Sequence, residues 1–285
     1  MARAATRART KVAPQALVGA ALQTSWERVE AELERYRHDP EQAGSHDLRV
    51  GMRRFLAAAE LVCVLEPEAL LEKLPSRVKR LLSALSPLRD IEIQREALEK
   101  HALTPPEHQA LTRWLRAREQ KLAKKVQRRI ARFPVERTRQ GVLEAVLALG
   151  RDDHDSRSAE LTLLGRVAER YRAFERRRRA AHEHDLHELH RTRVAFKKYR
   201  YALELTAPLL RPLAKPHKEA LKTFQDELGA LQDSVIILAL FSHRKSTQPL
   251  AAELRTEQAK LTAHVRALLE AQRSAPVPTF SDYLP

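Results

Sequence analysis

One segment of this chain occurs twice. His46-Asp47-Leu48-Arg49-Val50-Gly51-Met52-Arg53-Arg54-Phe55 is matched by His190-Arg191-Thr192-Arg193-Val194-Ala195-Phe196-Lys197-Lys198-Tyr199, at an offset of 144. Both read H-x-x-R-V, then a basic pair, then an aromatic ring, and Glu60 and Glu204 extend the match. Downstream, the stretch from Lys79 to Leu88-Arg89-Asp90 aligns with that from Lys222 to Leu231-Gln232-Asp233, at an offset of 143. Upstream, Arg28 and Arg35 fall opposite Arg172 and Arg179, and Pro105 falls opposite Pro249. A repeat of this length means that one supersecondary unit has been used twice and that the two copies must pack together.

Prolines punctuate the chain, and the segments between them carry helical periodicity. The pattern predicts helices over 14–38, from His46 to before Pro67, and over 75–100 with a kink at Ser86-Pro87. Others follow over 105–132, with Thr104 as cap, and over 135–149, closing at Gly150. After a polar loop at 151–155 come 158–181, 184–207, 216–244 and 249–273. Only 7 glycines occur in 285 residues, which argues against glycine-built phosphate loops, Rossmann folds and β-sandwiches. The expected fold is all-α: a duplicated four-helix unit, with halves at 14–132 and 158–273. Helix 135–149 and linker 150–157 join the halves. Residues 1–13 read as a basic disordered arm and 274–285 as an irregular tail.

Turned at about 100° per residue, the repeated helix has two unlike sides. Leu48, Met52, Phe55, Ala59 and Val62 form a core face, repeated by Phe196, Tyr199 and Leu203. On the other side His46, Arg49, Arg53 and Glu60, and His190, Arg193, Lys197, Arg200 and Glu204, fall within about 80° of one another. A solvated helix face has no need of the same His and cations at the same spacing twice. Alternating Glu and Lys, the pattern of a face stabilised by i,i+4 pairs, is missing. Like charges on adjacent turns repel unless an anion lies among them. Glu60 and Glu204 are expected to hold the last base of each stripe.

Charge points the same way. Lys and Arg number 52 against 37 Asp and Glu, a net charge of +15. Arg170 to Tyr201 alone holds 11 Lys and Arg against 4 Asp and Glu, a concentration able to steer a polyanion. Arg forks onto phosphate oxygens, Lys supplies a mobile point charge, and a His beside phosphates is favoured in its cationic form. Within Arg176-Arg177-Arg178-Arg179 the side chains circle their helix, so only part of the run can face one ligand.

These residues resemble the CHAD (conserved histidine α-helical domain) family. The resemblance rests on H-x-x-R-V with its basic pair, on Lys197-x-x-Arg200-Tyr201-x-x-Glu204, and on Arg89-Asp90 after the third helix's proline, and it spans about 14–273. It implies two four-helix bundles related by pseudo-twofold symmetry, with a basic cleft or channel between them that binds inorganic polyphosphate. It also implies a place on bacterial polyphosphate granules, with granule-associated proteins as further partners. The implied binding residues are His46, Arg49, Arg53 and Lys79 from one half and His190, Arg193, Lys197, Arg200 and Lys222 from the other. Secondary contacts fall to Arg28, Arg35, Arg54, Arg80, Arg89, Arg172, Arg179 and Lys198. Leu56 stands where the family often has the base corresponding to Arg200.

Other readings have less behind them. Relatives that fuse this domain to a triphosphatase carry E-x-E-x-K on a strand, whereas Glu30-Ala31-Glu32-Leu33-Glu34 is helical and lacks the Lys. No nucleophile elbow or phosphate loop is present, so no catalytic activity and no cofactor are expected. His187 and His190 are i,i+3 neighbours beside His182 and His184, but no ligand set completes a metal site. Asp152, Asp153 and Asp155 lack the glycine and closing Glu of a calcium loop. Asp90 and Asp233 are expected to orient bases rather than to catalyse. Cys63 lies in an apolar run and reads as a buried thiol. No apolar stretch approaches the eighteen or so residues of a membrane span, so a cytoplasmic protein without a membrane partner is expected. Nucleic acid is the alternative ligand, since charge alone does not separate polyanions. Low aromatic content and the lack of a recognition motif weigh against it.

Overall fold

The structure is a computed structural model and describes residues 12–39, 45–66, 73–151, 155–180, 186–211, 215–242 and 245–274. Among them are nine α-helices and no strand. The helices are α1 Pro14–His38, α2 His46–Leu65, α3 Lys73–Lys100, α4 Pro105–Ala131, α5 Val135–Arg151, α6 Ser156–Ala180, α7 Leu186–Thr206, α8 Lys215–Phe241 and α9 Gln248–Ser274. Short 3₁₀ turns follow α7 and precede α9, at Ala207–Leu209 and Lys245–Thr247. Most of the expected arm at 1–13 and tail at 274–285, with Asp152, Asp153, His182 and His184, lies outside the described residues.

Boundaries follow local chemistry. The Thr104 backbone N–H and hydroxyl both donate to Glu107 Oε2, at 3.2 and 2.7 Å, closing a box at the start of α4. Asp155 starts α6, its carboxylate accepting from the backbone N–H groups of Arg157 and Ser158, each at 3.2 Å. This places α6 two residues earlier than expected. Two further expectations are corrected. Helix α5 does not close at Gly150 but runs through it to Arg151. Helix α3 begins at Lys73, two residues before the expected Pro75, and, as expected, runs through Pro87 to Lys100 as one helix. The proline removes one N–H without ending the helix, and Leu85 and Leu88 on either side of it are buried in the core.

The same pairings recur in the two parts of the chain. α1 packs on α2 as α6 packs on α7, α2 on α3 as α7 on α8, and α3 on α4 as α8 on α9. Trp26 meets Phe55 edge-on with centroids 5.5 Å apart, and Tyr171 meets Tyr199 at 5.3 Å. Buried faces give the register. In α1 and α6, Leu22 answers to Val167 and Val29 to Phe174, an offset of 145. In α4 and α9, Val126 answers to Val265 and Ile130 to Leu269, an offset of 139. The matches of Arg28 with Arg172, Arg35 with Arg179 and Pro105 with Pro249 are therefore out of register. Loop lengths differ between the copies, and matching cations or prolines says less about register than the buried face does.

Three apolar clusters hold the helices. The first lies among α1–α5 and takes in Ala159 and Leu163 of α6. The second lies among α6–α9 around Phe174, Phe196 and Phe224. The third joins the two parts, bringing Ile91, Leu98, Leu111 and Leu115 against Leu240, Phe241 and Ala251. Gln94 Nε2 donates to the Ile236 carbonyl across the same α3–α8 contact at 3.2 Å. Helix α5 has no counterpart. It lies on α1 and meets Leu74 at Gly141, where a Cβ would come within 2.8 Å of Leu74 Cδ1.

Candidate functional site

The core face of the repeated helix is as expected: Met52, Phe55, Val62, Phe196 and Tyr199 are wholly buried. The opposite face is not solvated. α2 packs on α7, and α3 packs on α8, so each repeated helix meets its own counterpart. Arg49 is only 8% exposed, and Arg53, Arg193 and Lys197 are half-buried.

Anchoring begins at the head of α2. The Ser45 backbone N–H and hydroxyl donate to Glu92 Oε1 of α3, at 3.1 and 2.7 Å. One turn on, Arg49 Nη1 donates to Ser86 Oγ at 2.8 Å, and that hydroxyl donates to the Leu82 carbonyl at 3.1 Å. Arg89 closes on Glu92 at 3.1 Å. In the second copy His190 Nδ1 is hydrogen-bonded to Gln232 Oε1 of α8. Arg200 binds Glu204 at 2.6 Å and reaches Gln225.

The charges on these helices form one group. Burial pushes the Lys197 ammonium down to about 7, helped by Arg193, Arg53 and Arg49 and opposed by Asp233. Burial likewise brings Arg49 down to about 10, with Arg53 adding to the effect and Asp90 and Glu92 resisting it. Arg193 is lowered by burial, with Asp233 opposing and Arg53 assisting. Asp90 and Asp233 are both raised by burial despite the neighbouring cations, with Asp233 adding to the effect on Asp90 and Glu96 to that on Asp233. Cations and carboxylates from both copies therefore share one partly desolvated space: Arg49, Arg53, Arg193 and Lys197 stand with Asp90 and Asp233 at its centre, and Arg89 and Glu92 act from beside them.

The remaining expected residues are spread more widely. His46 and His190 are exposed at the heads of their helices. Lys79 and Lys222 are exposed, each three turns, or about 16 Å, along its helix from Asp90 or Asp233. Arg28, Arg54, Arg80 and Arg172 are exposed, Arg35 pairs with Glu32 at 3.1 Å, and Arg179 lies 3.8 Å from Glu175. Arg178, from the arginine run, is a core residue. It is 7% exposed, binds Glu175 at 2.6 Å and donates to the Leu269 carbonyl at 2.8 Å. Glu60 does not hold a base of its own stripe. It pairs with Arg166, at 3.3 Å, and with Arg170, both on α6. Lys198 is exposed and faces away from the central group, into a groove between α6 and α7.

The sequence model of the CHAD domain matches residues 20–242. The chain belongs to the CHAD family. The crystal structure of the CHAD domain from the plant Ricinus communis superposes with a TM-score of 0.62 at 23% identity, over 95% of this chain and 91% of that one. At that identity the likeness is one of fold. No curated protein matches the chain. Among the described residues, no group of three or more His, Cys, Asp or Glu could hold a metal ion, and no helix of this CHAD protein is long and apolar enough to cross a membrane.

Proposed function

We propose that this CHAD protein binds inorganic polyphosphate without chemically altering it, in a cleft between its two halves. One observation carries the reading: equivalent residues of the two copies, Arg49 and Arg53 with Arg193 and Lys197, act on one another at a single desolvated place. Four cations held close together repel, and burial deepens the cost to the point of driving Lys197 towards neutrality. A polyanion reverses both terms, giving each base a phosphate oxygen and restoring the Lys197 proton. His46 and His190 stand at the rim, and Lys79 and Lys222 extend the track along α3 and α8. A cytoplasmic protein on polyphosphate granules, with granule proteins as neighbours, fits this ligand.

Nucleic acid is the rival ligand, and Trp114 is what favours it. This ring is 39% exposed and carries Arg118 5.2 Å from its centroid. It is the one exposed aromatic side chain among the described residues, and a single ring makes a poor platform for successive bases. Competition between long polyphosphate and single-stranded RNA or DNA of matched charge, across a salt series, tests the choice. Polyphosphate should win at every salt concentration, its affinity falling linearly on logarithmic axes. Equal affinity for RNA would decide for the rival. Chain length measured before and after incubation tests for hydrolysis, and a fluorescent fusion tests for location on granules.

A further inference from the structure

Outside the central group, a groove of about 690 Å³ runs between α6 and α7. Its walls carry Arg170, Arg176 and Arg177 from α6 and His190, Arg191 and Lys198 from α7, over a floor of small residues such as Ala173 and Ala195. Among the described residues, no carboxylate lines it. A solvated basic face would account for isolated arginines, and some of these are tied. Arg170 is bound to Glu60, and Arg177 and Arg191 share Glu188 at 3.3 and 2.6 Å. Arg176 and Lys198 have no carboxylate partner among the described residues, although both stand beside other cations.

The first half offers an internal comparison. In the register set by the buried faces, Arg177 corresponds to Glu32, Arg191 to Asp47, Arg176 to Ala31 and Arg170 to Ser25. There the same surface mixes both signs, and Arg35 is neutralised by Glu32 at 3.1 Å. Among the described residues the two copies of one unit have thus diverged, the second carrying an excess of positive charge around a concavity. His190 connects this groove to the central group, since it lines the groove while bonded to Gln232, the neighbour of Asp233.

We propose that the α6–α7 groove is a second phosphate-chain site, which takes the length of polyanion that continues past His190 from the central group. The inference rests on the polyphosphate reading above. It makes the protein asymmetric, with a chain entering between the halves and leaving over the second half only. The groove follows α7 over the eight residue steps from His190 to Lys198, about 12 Å, so only a chain longer than the central group engages both.

Binding of tripolyphosphate and of long-chain polyphosphate to the full chain, measured with wild type and with Arg176→Ala combined with Lys198→Ala, tests this. Neither substitution removes an ion pair among the described residues, and helical content and melting serve as controls for folding. The double variant should lose about tenfold in affinity for the long chain, with a salt slope shallower by about 1.4, the worth of two contacts on a flexible strand. Tripolyphosphate affinity should stay at the wild-type value. Unchanged long-chain affinity and slope would overturn the groove while leaving the central site standing. Equal losses for both chain lengths would overturn it too, showing only a long-range field at work. Failure of the wild type to bind either chain would overturn the polyphosphate reading and the groove with it.

Discussion

Arg53 of α2 and Lys197 of α7 hold the same place in the two copies of the repeated helix, and across the contact between those helices Arg53 helps to drive the Lys197 ammonium towards neutrality. Burial is the larger cause, Arg193 and Arg49 add to it, and Asp233 opposes it; Asp90 faces the same space from α3. With its value brought down to about 7, Lys197 is largely neutral in the free protein at pH 8. A bound polyanion would favour the charged form, so on the proposed reading binding should take up a proton above pH 7. Affinity should therefore fall as pH rises from about 7, by at most about one logarithmic unit per pH unit. Calorimetry in two buffers of different ionisation enthalpy measures the uptake directly. Lys197→Arg should flatten the profile between about pH 7 and 9 while preserving binding. No proton uptake at pH 8 in the wild type would refute the linkage.

The same shift works against the fold. Between about pH 7 and 10.5 the unfolded chain holds a Lys197 proton that the native state has partly given up, so this residue's cost shrinks as pH rises through that window and is full below it. Lys197→Met should stabilise the free protein at pH 6 by on the order of 1 kcal/mol, raising Tm by about 2–4 °C, with the gain disappearing at high pH. Polyphosphate binding should weaken at least tenfold in the same variant. A stability loss at pH 6 would mean that the Lys197 stem is needed for packing and that the base is structural.

The charge of Asp233 favours the cationic forms of Arg193 and Lys197 in the free protein, and on the proposed reading it would compete with phosphate for them. Asp233→Asn keeps the shape and removes the charge. We expect tighter polyphosphate binding, most clearly at low salt, together with a lower Tm without ligand. Thermal melts with and without long-chain polyphosphate should show the two effects with opposite sign. Weaker binding in the variant would assign Asp233 a direct part in shaping the site.

The repeated helix was legible because its two sides differ in kind, and the same His, Arg and base spacing recurs against an unbroken apolar face. That the cationic side is buried against its own copy was not legible. Helical periodicity assigns residues to faces but does not say which helix meets which, and a row of cations ordinarily signals solvent. Arg178 shows the same limit from the other direction. Nothing in a run of four arginines marks the one that passes into the core, which is decided by a carbonyl 91 residues away in the chain. Glu60 was misassigned for a related reason, since i,i+3 and i,i+4 partners are visible in sequence and partners across a helix contact are not.

Glu60 yields the last prediction, because its counterpart provides the control. Glu204 is exposed and answers Arg200 one turn away on its own helix, a pair of the kind worth about 0.3–0.5 kcal/mol. Glu60 is more buried and joins α2 to α6 through Arg166 and Arg170. In the buried register Arg170 corresponds to Ser25, so the first half supplies no equivalent base for Glu204 to reach. The link between halves is therefore made once and not twice. Glu60→Gln should cost about 1–2 kcal/mol, lowering Tm by roughly 3–6 °C, whereas Glu204→Gln should fall within about 1–2 °C of wild type. Exchanging the charges, Glu60→Arg with Arg170→Glu, should recover part of a loss that either reversal alone makes larger. If Glu60→Gln and Glu204→Gln melt together, the α2–α6 contact is held by packing alone and the bridge contributes no stability.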